Sequence, residues 1–372
     1  MSSIQIKSVS SKSDVMKFIK FQWEVYKDFP NWVPPLLMDR KKILSKEKNP
    51  FFKHAEMELW LAYKDNKIVG RIAAIVNYTH NEIHKDKVGF FGFYESFNDY
   101  EVCKALMDTA ADWLKSRGMD TMRGPANPSS NDDWGMVIEG FDIPPMLLMP
   151  YTPPYYINLM EQYGCTKAKD LIAFLVENDK INQVSKLRRV ADIAQKRHEI
   201  TIEQLKLKEI KTELKKIKEL YNAAWEANWG FVPLTEEEID AVADDLKPLV
   251  EETLVLFAYV KGQLAGFTLT MLDWNMVFKK MNGRLLTGFW RLFTDRKKIT
   301  QSRIITLGLK PEFQRLGVDA VLYREIIDRA QALNIYLGEA SWVLEDNQMM
   351  VRAAEMMQST PYKKYRVFDK SL

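Results

Sequence analysis

The chain has 372 residues, 47% hydrophobic and 28% charged, a globular balance that excludes a disordered polymer and leaves room for two domains. Lys and Arg total 53 against 50 acidic residues, and a net charge of +3 gives no reason to expect nucleic acid as a partner. Cys103 and Cys165 form no C-x-x-C pair, the start Met1–Ser13 is polar, and no apolar run approaches ~20 residues, so no metal, no membrane partner and a cytoplasmic setting are expected.

Asp14 to Tyr26 reads as a helix, with Val15, Phe18, Ile19 and Trp23 on one face, broken by Pro30-Asn31-Trp32-Val33-Pro34-Pro35. Glu58–Tyr63, a Lys64–Lys67 turn and Ile68–Val76 form a hairpin pattern. Val88–Tyr94 is the next strand. Asp99 is placed to cap a helix that carries Val102, Leu106 and Ala110 and stops at Gly118. Met119–Arg123 follows as a strand, and then a long segment, Gly124–Pro154, rich in Pro, Asn and Gly. Tyr155–Tyr163 is helical and Leu171–Val176 extended.

The order then repeats. Ile200–Ile202 is a short strand, and a helix follows on Ile210, Leu214, Ile217 and Tyr221. Thr235 and Glu238 have capping-box spacing. Leu254–Tyr259 and Leu264–Thr270 form a second hairpin. Ala62-Tyr63 precedes Gly70 by the interval at which Ala258-Tyr259 precedes Gly266. An internal duplication is expected, with an N-terminal domain over 1–178, a connecting helix over 179–198 and a C-terminal domain over 199–372.

Ile304–Asp319 reads as a strand, a turn marked by Pro311, a loop and a helix start. Amides at a helix N-terminus are unpaired and carry partial positive charge, which suits a pyrophosphate; Gly317 admits close backbone approach and Arg315 adds charge. The Phe91–Asp99 crossing of the first half has no such loop, so no cofactor is expected there. Gly124–Pro154, with Asn127, Asn131 and Trp134, is the candidate for acceptor contacts, because a loop of that length in a compact domain is often functional.

Gln314-x-x-Gly317, preceded by Leu307-x-Leu309-x-Pro311-x-Phe313, resembles the signature of the GCN5-related N-acetyltransferase (GNAT) superfamily. The resemblance covers the last half of the chain, and the repeated element order extends it to the first. It implies an α/β fold (α+β, mixed sheet) of two tandem GNAT-like acyl-CoA N-acyltransferase domains. It further implies that the two central strands splay, with acetyl-CoA or another acyl-CoA held by Leu307, Leu309, Gln314, Arg315, Leu316, Gly317, Val318, Asp319 and Asn347. Glu345 and Asp346, at the end of the next strand, are the candidate bases, Glu345 first, and a small-molecule amine is the expected acceptor. Two departures stand out. Asp319 replaces the final Gly or Ala of the signature and repels a pyrophosphate. Ala354 stands where the family often has its acidic Tyr, and Tyr362 or Tyr365 is the substitute, with nothing in the spacing requiring either. These departures favour two alternatives: a binding or scaffold protein with a degenerate fold, and an aminoacyl-tRNA-dependent transferase resembling the enzymes of peptidoglycan bridge synthesis.

Three other signals are set aside. His80 and His84 have metal-compatible spacing without the zinc-protease order and without an evident helix. The lysine runs at 40–48 and 206–218 read as solvated helix faces. Trp274–Lys298 mixes aromatic and basic residues and reads first as a lid or a domain cover, and second as a membrane-surface element.

Overall fold

The computed structural model describes residues 3–177, 180, 185–225 and 228–372. They cluster into two units, Met1–Leu171 with Phe278–Phe289 and Lys363–Leu372, and Ile172–Val277 with Trp290–Tyr362. Asn178 and most of 179–184, where the connecting helix was expected to begin, lie outside the described residues.

The first part of the chain runs β1 (Gln5–Ser8), α1 (Lys12–Val25), α2 (Leu37–Ile43), β2 (Ala55–Lys64), β3 (Lys67–Asn77), α3 (Tyr78–His84), β4 (Val88–Ser96) and α4 (Tyr100–Lys115). It continues with β5 (Thr121–Gly124), β6 (Ala126–Asn127), β7 (Asp133–Trp134), β8 (Met136–Glu139), α5 (Tyr155–Gln162) and β9 (Thr166–Glu177). Strands β1 to β4 pair antiparallel in order, and β5 joins β4 in parallel. Asp99 Oδ1 accepts from the amides of Glu101 and Val102, so α4 starts where the sequence places it. Its apolar stripe, Val102, Leu106, Ala110 and Leu114, buries against Ile72, Ala74 and Phe91 of the sheet.

Next come α6 (Ser185–His198), β10 (Ile200–Gln204), α7 (Ile210–Trp225), α8 (Glu236–Leu246), β11 (Val255–Val260), β12 (Gln263–Leu272) and three short helices, α9 (Asn275–Met281), α10 (Leu285–Gly288) and α11 (Arg291–Thr294). The chain ends with β13 (Gln301–Leu309), α12 (Val318–Ala332), β14 (Leu337–Leu344), α13 (Gln348–Met356) and β15 (Thr360–Ser371). In the second unit β10 to β13 are antiparallel neighbours and β14 is parallel to β13. Thr235 and Glu238 complete the expected capping box at α8. One face of this sheet packs Leu256, Ala258 and Leu307 against α6 and α12; the other packs Phe257 and Phe267 under α7.

The duplication shows in a shared irregularity. Ala62 pairs with Gly70 and the register then slips, so that Tyr63 meets Ile68. Ala258 pairs with Gly266, and Tyr259 meets Leu264 after the same slip. Both units therefore carry the β-hairpin, strand, helix, parallel-strand order of the expected tandem fold.

The structure also differs from the sequence reading. His80 and His84 do lie on a helix, which Asn77 caps by accepting from the His80 amide at 3.2 Å. The segment 124–154 is not structureless, since it holds β6, β7 and β8. Strand β15 escapes the sequence reading because its buried positions include Lys363, which conceals the apolar alternation of Tyr365 and Val367.

Candidate active site

Strand β13 has unequal neighbours. Against β12 it is paired from Ser302 to Leu309, with a slip that sets Leu269 opposite Thr306 and Thr270 opposite Ile304. Ile305 is the extra residue, a β-bulge that bends the strand. Against β14 the pairing covers only Gln301–Ile304, opposite Leu337–Ala340, although β14 continues to Leu344. Beyond Ile304 and Ala340 the two parallel strands part. Alternate amides of 305–309 then face the gap rather than a neighbouring strand.

A buried polar cluster sits at the vertex. Arg303 and Glu339 are directly opposed in register, 2% and 0% exposed, with Nε to Oε1 at 3.4 Å. Arg303 Nε donates to Ser341 Oγ at 2.8 Å, and Ser341 Oγ donates to Glu339 Oε1. Tyr362 OH donates to the other oxygen, Glu339 Oε2. Every oxygen of this buried carboxylate is engaged, as a charge in a low-dielectric site requires.

At the far end of β13 the chain turns through Pro311–Phe313 into the loop singled out by the sequence. Gln314 is extended, while Arg315 (φ +65°) and Gly317 (φ +79°) are left-handed. Gly317 is the N-cap of α12 and has no side chain to offer the first amides. The first intrahelical bond is Val321 N–H to the Gly317 carbonyl, so the amides of Val318, Asp319 and Ala320 precede any intrahelical acceptor. Val318 is buried and Leu316 packs on the α6/α12 core, which leaves exposed Arg315 and half-buried Asp319 at the helix mouth. Tyr323, one turn on, has its phenol pushed up by burial and then by the Asp319 carboxylate.

Leu307 and Leu309 lie on the splayed part of β13 and pack on the α6/α12 core. Asn347 caps α13, its Oδ1 accepting from Met350 N at 3.2 Å. Tyr362 belongs to the vertex cluster. Glu345 lies past the opposite end of β14, six residues from Glu339, about 20 Å along an extended strand. Tyr362 and Glu345 are thus not brought together. The sequence reading missed Arg303, Glu339 and Ser341; the available signal was Arg303 immediately before the strand read from Ile304 and Glu339 in the strand that follows the next helix.

The first unit holds a matching fork with a different content. Strand β4 pairs with β5 only from Val88 to Phe90 and continues free of it to Ser96. Here the chain itself enters the gap. Asn127 Oδ1 accepts from the Phe93 amide, and a Cβ on Gly92 would lie 1.7 Å from the Ala126 carbonyl oxygen. Trp134 is buried, pairs with Ala126 and packs against Phe90 with the rings tilted at 55°, centroids 5.9 Å apart. Asn131 lies in the turn between, its amide donating to Ser129 Oγ. Among the described residues no group of three His, Cys, Asp or Glu is placed to hold a metal ion, and no helix is long and apolar enough to cross a membrane.

Two hairpin-based units, each with a bulged strand parting from its parallel neighbour, define a tandem protein of the GNAT fold. A tandem GNAT protein from the clavulanic acid biosynthesis pathway superimposes with a TM-score of 0.59 at 10% identity, over 99% of this chain and 98% of its own. Protein YghO of Escherichia coli (strain K12) is 33% identical over 374 residues, 99% of this chain and 95% of that protein. The bacterial ceramide synthase of Caulobacter vibrioides (strain NA1000 / CB15N) is 33% identical over 378 residues, 98% of this chain and 96% of that protein. The chain belongs to the family of these two proteins. No protein-family model matches it.

Proposed function

We propose that the protein is an acyl-CoA-dependent N-acyltransferase working in its second unit. The observation that carries this reading is the parting of β13 and β14 beyond Ile304 and Ala340, with the open amides of α12 at the end of the same strand. The fit is electrostatic and steric. Left-handed Arg315 and Gly317 wind the loop into the start of α12, where the Val318–Ala320 amides precede any intrahelical acceptor and exposed Arg315 adds positive charge nearby, which suits a diphosphate. Asp319 opposes it, weakening the site without blocking it.

Bound acyl-CoA supplies an activated thioester. In this reading the amine nitrogen attacks the thioester carbonyl directly, forming the N–C bond as C–S breaks, with no covalent enzyme intermediate. The ammonium proton must leave before attack and the thiolate must gain one afterwards. Tyr362, held by Glu339 at the vertex, is the candidate for the second transfer; Glu345, about 20 Å along the strand at the open end of β14, is the candidate for the first only through a relay of water. The acceptor contacts proposed for Asn127, Asn131 and Trp134 and the domain limits at 178 and 199 belong to the same proposal. So does the cytoplasmic setting.

The family relationship bears on the acceptor. One relative is a ceramide synthase, whose product is an N-acylated long-chain amino alcohol. That name supports our choice of a long-chain amino alcohol as the first acceptor to test, before the small amine expected from the sequence. The test is release of free thiol from acyl-CoA with sphinganine or ethanolamine as acceptor, beside calorimetry with acyl-CoA alone. Binding together with acceptor-dependent thiol release is expected. Absence of both would leave the scaffold reading.

A further inference from the structure

We infer that the segment around Trp290–Lys298 is an interfacial element that docks on an anionic phospholipid surface. Acyl transfer is not needed for the argument. Trp290 and Phe293 are three residues apart on α11, on one helical face, and are 53% and 70% exposed. Buried Asp295 fixes this turn, accepting from Arg291 at 3.2 Å and from Lys298 at 2.7 Å. Asp295 thus fixes the backbone turn beside the aromatic pair, and the Arg291 guanidinium lies over the Trp290 ring, 4.5 Å from its centroid. Just before it in the chain, Leu286 of α10 and Phe289 at its C-cap are 98% and 52% exposed. Elsewhere among the described residues, exposed large apolar side chains such as Met38 and Val242 stand singly in the sequence, and Leu333 and Tyr336, also three apart, lack the adjacent run of cations.

Charge selects the occupant. Trp290–Lys298 carries Arg291, Arg296, Lys297 and Lys298 against one acid, and Arg284 precedes α10; Arg291 and Lys298 share Asp295 and Arg296 pairs with Glu251, so the surplus positive charge is carried chiefly by Lys297 and Arg284. Apolar and Trp side chains flanked by cations match the acyl boundary and the phosphate layer of an anionic leaflet together.

The test uses the full chain and vesicles of phosphatidylglycerol and phosphatidylcholine in equal parts, with pure phosphatidylcholine as the second arm. Co-sedimentation with the anionic vesicles that weakens as salt rises is expected. Trp290→Ser with Phe293→Ser should cut partitioning at least about tenfold, and Leu286→Ser, the most exposed position, should weaken it with an unchanged melting temperature. Lys297→Glu should lower it about fivefold in the anionic arm and leave the neutral arm unchanged. Wild-type protein that stays in the supernatant overturns the inference, as does binding that none of these variants alters. A concentration-dependent dimer lost in the Ser variants, without vesicle binding, overturns it in favour of a self-interface.

Discussion

Arg303 and Glu339 oppose each other across the last stretch of paired β13–β14 register, one step before the strands part, and both are sealed from solvent. The pair and its satellites, Ser341 and Tyr362, close the vertex of the fork.

Removing one member of this pair strands the other. Glu339→Leu should cost about 3–5 kcal/mol in denaturant unfolding, because a buried guanidinium loses its counter-charge. Adding Arg303→Met should recover most of that loss. Additive losses would show that the two side chains do not share one buried interaction. Tyr362→Phe, which removes one hydrogen bond, should cost only about 1 kcal/mol yet reduce acyl-transfer turnover more than acyl-CoA affinity.

Gly317 is required by packing as well as by any ligand. Its φ is +79°, and a Cβ there would lie 2.7 Å from Ala194 Cβ on α6. Gly317→Ala should lower the unfolding free energy by about 1–3 kcal/mol, so lost binding in Gly317 variants is no clean test of the cradle. Arg315→Glu is the cleaner probe: the side chain is exposed, the melting temperature should hold, and acyl-CoA affinity should fall about tenfold.

Asp319→Asn should act in the opposite direction. Removing a carboxylate from the first turn of α12 should tighten acyl-CoA binding several-fold while costing up to about 1 kcal/mol of helix-dipole stabilisation. Weaker binding in calorimetry would mean that the amides before Val321 are not where the diphosphate sits.

His80 sets a pH dependence in the first unit. Burial first, then His84 and Arg123, lowers its pKa from 6.5 to about 3, although Asp86 lies 3.6 Å away. A group kept neutral in the folded state and protonated in the unfolded one contributes stability above pH 6.5 that is lost as pH falls towards 3. About 2 kcal/mol should be gone by pH 5. His80→Leu should flatten the difference between unfolding at pH 7.5 and pH 5; an unchanged difference would assign it to other groups.

Asn127 is a plug with a measurable effect. Asn127→Ala leaves the Phe93 amide without its acceptor in a buried fork and should cost about 1–3 kcal/mol. Acyl-CoA stoichiometry by calorimetry should remain one per chain, since the Gly92–Ala126 approach still fills the gap.

Much of this was local and therefore legible. Asp99, Thr235 and Asn347 cap helices because a short polar side chain reaches amides two or three residues on. The paired hairpins and the turn before Gly317 follow from the spacing of Gly, Pro and apolar residues. Only tertiary structure decided where β13 leaves β14, that Glu339 is buried opposite Arg303, and that Asn127 enters the first fork. Those contacts join residues 36 and 34 positions apart in two of the three cases, and register between such segments is set by packing and bulges that no local pattern encodes.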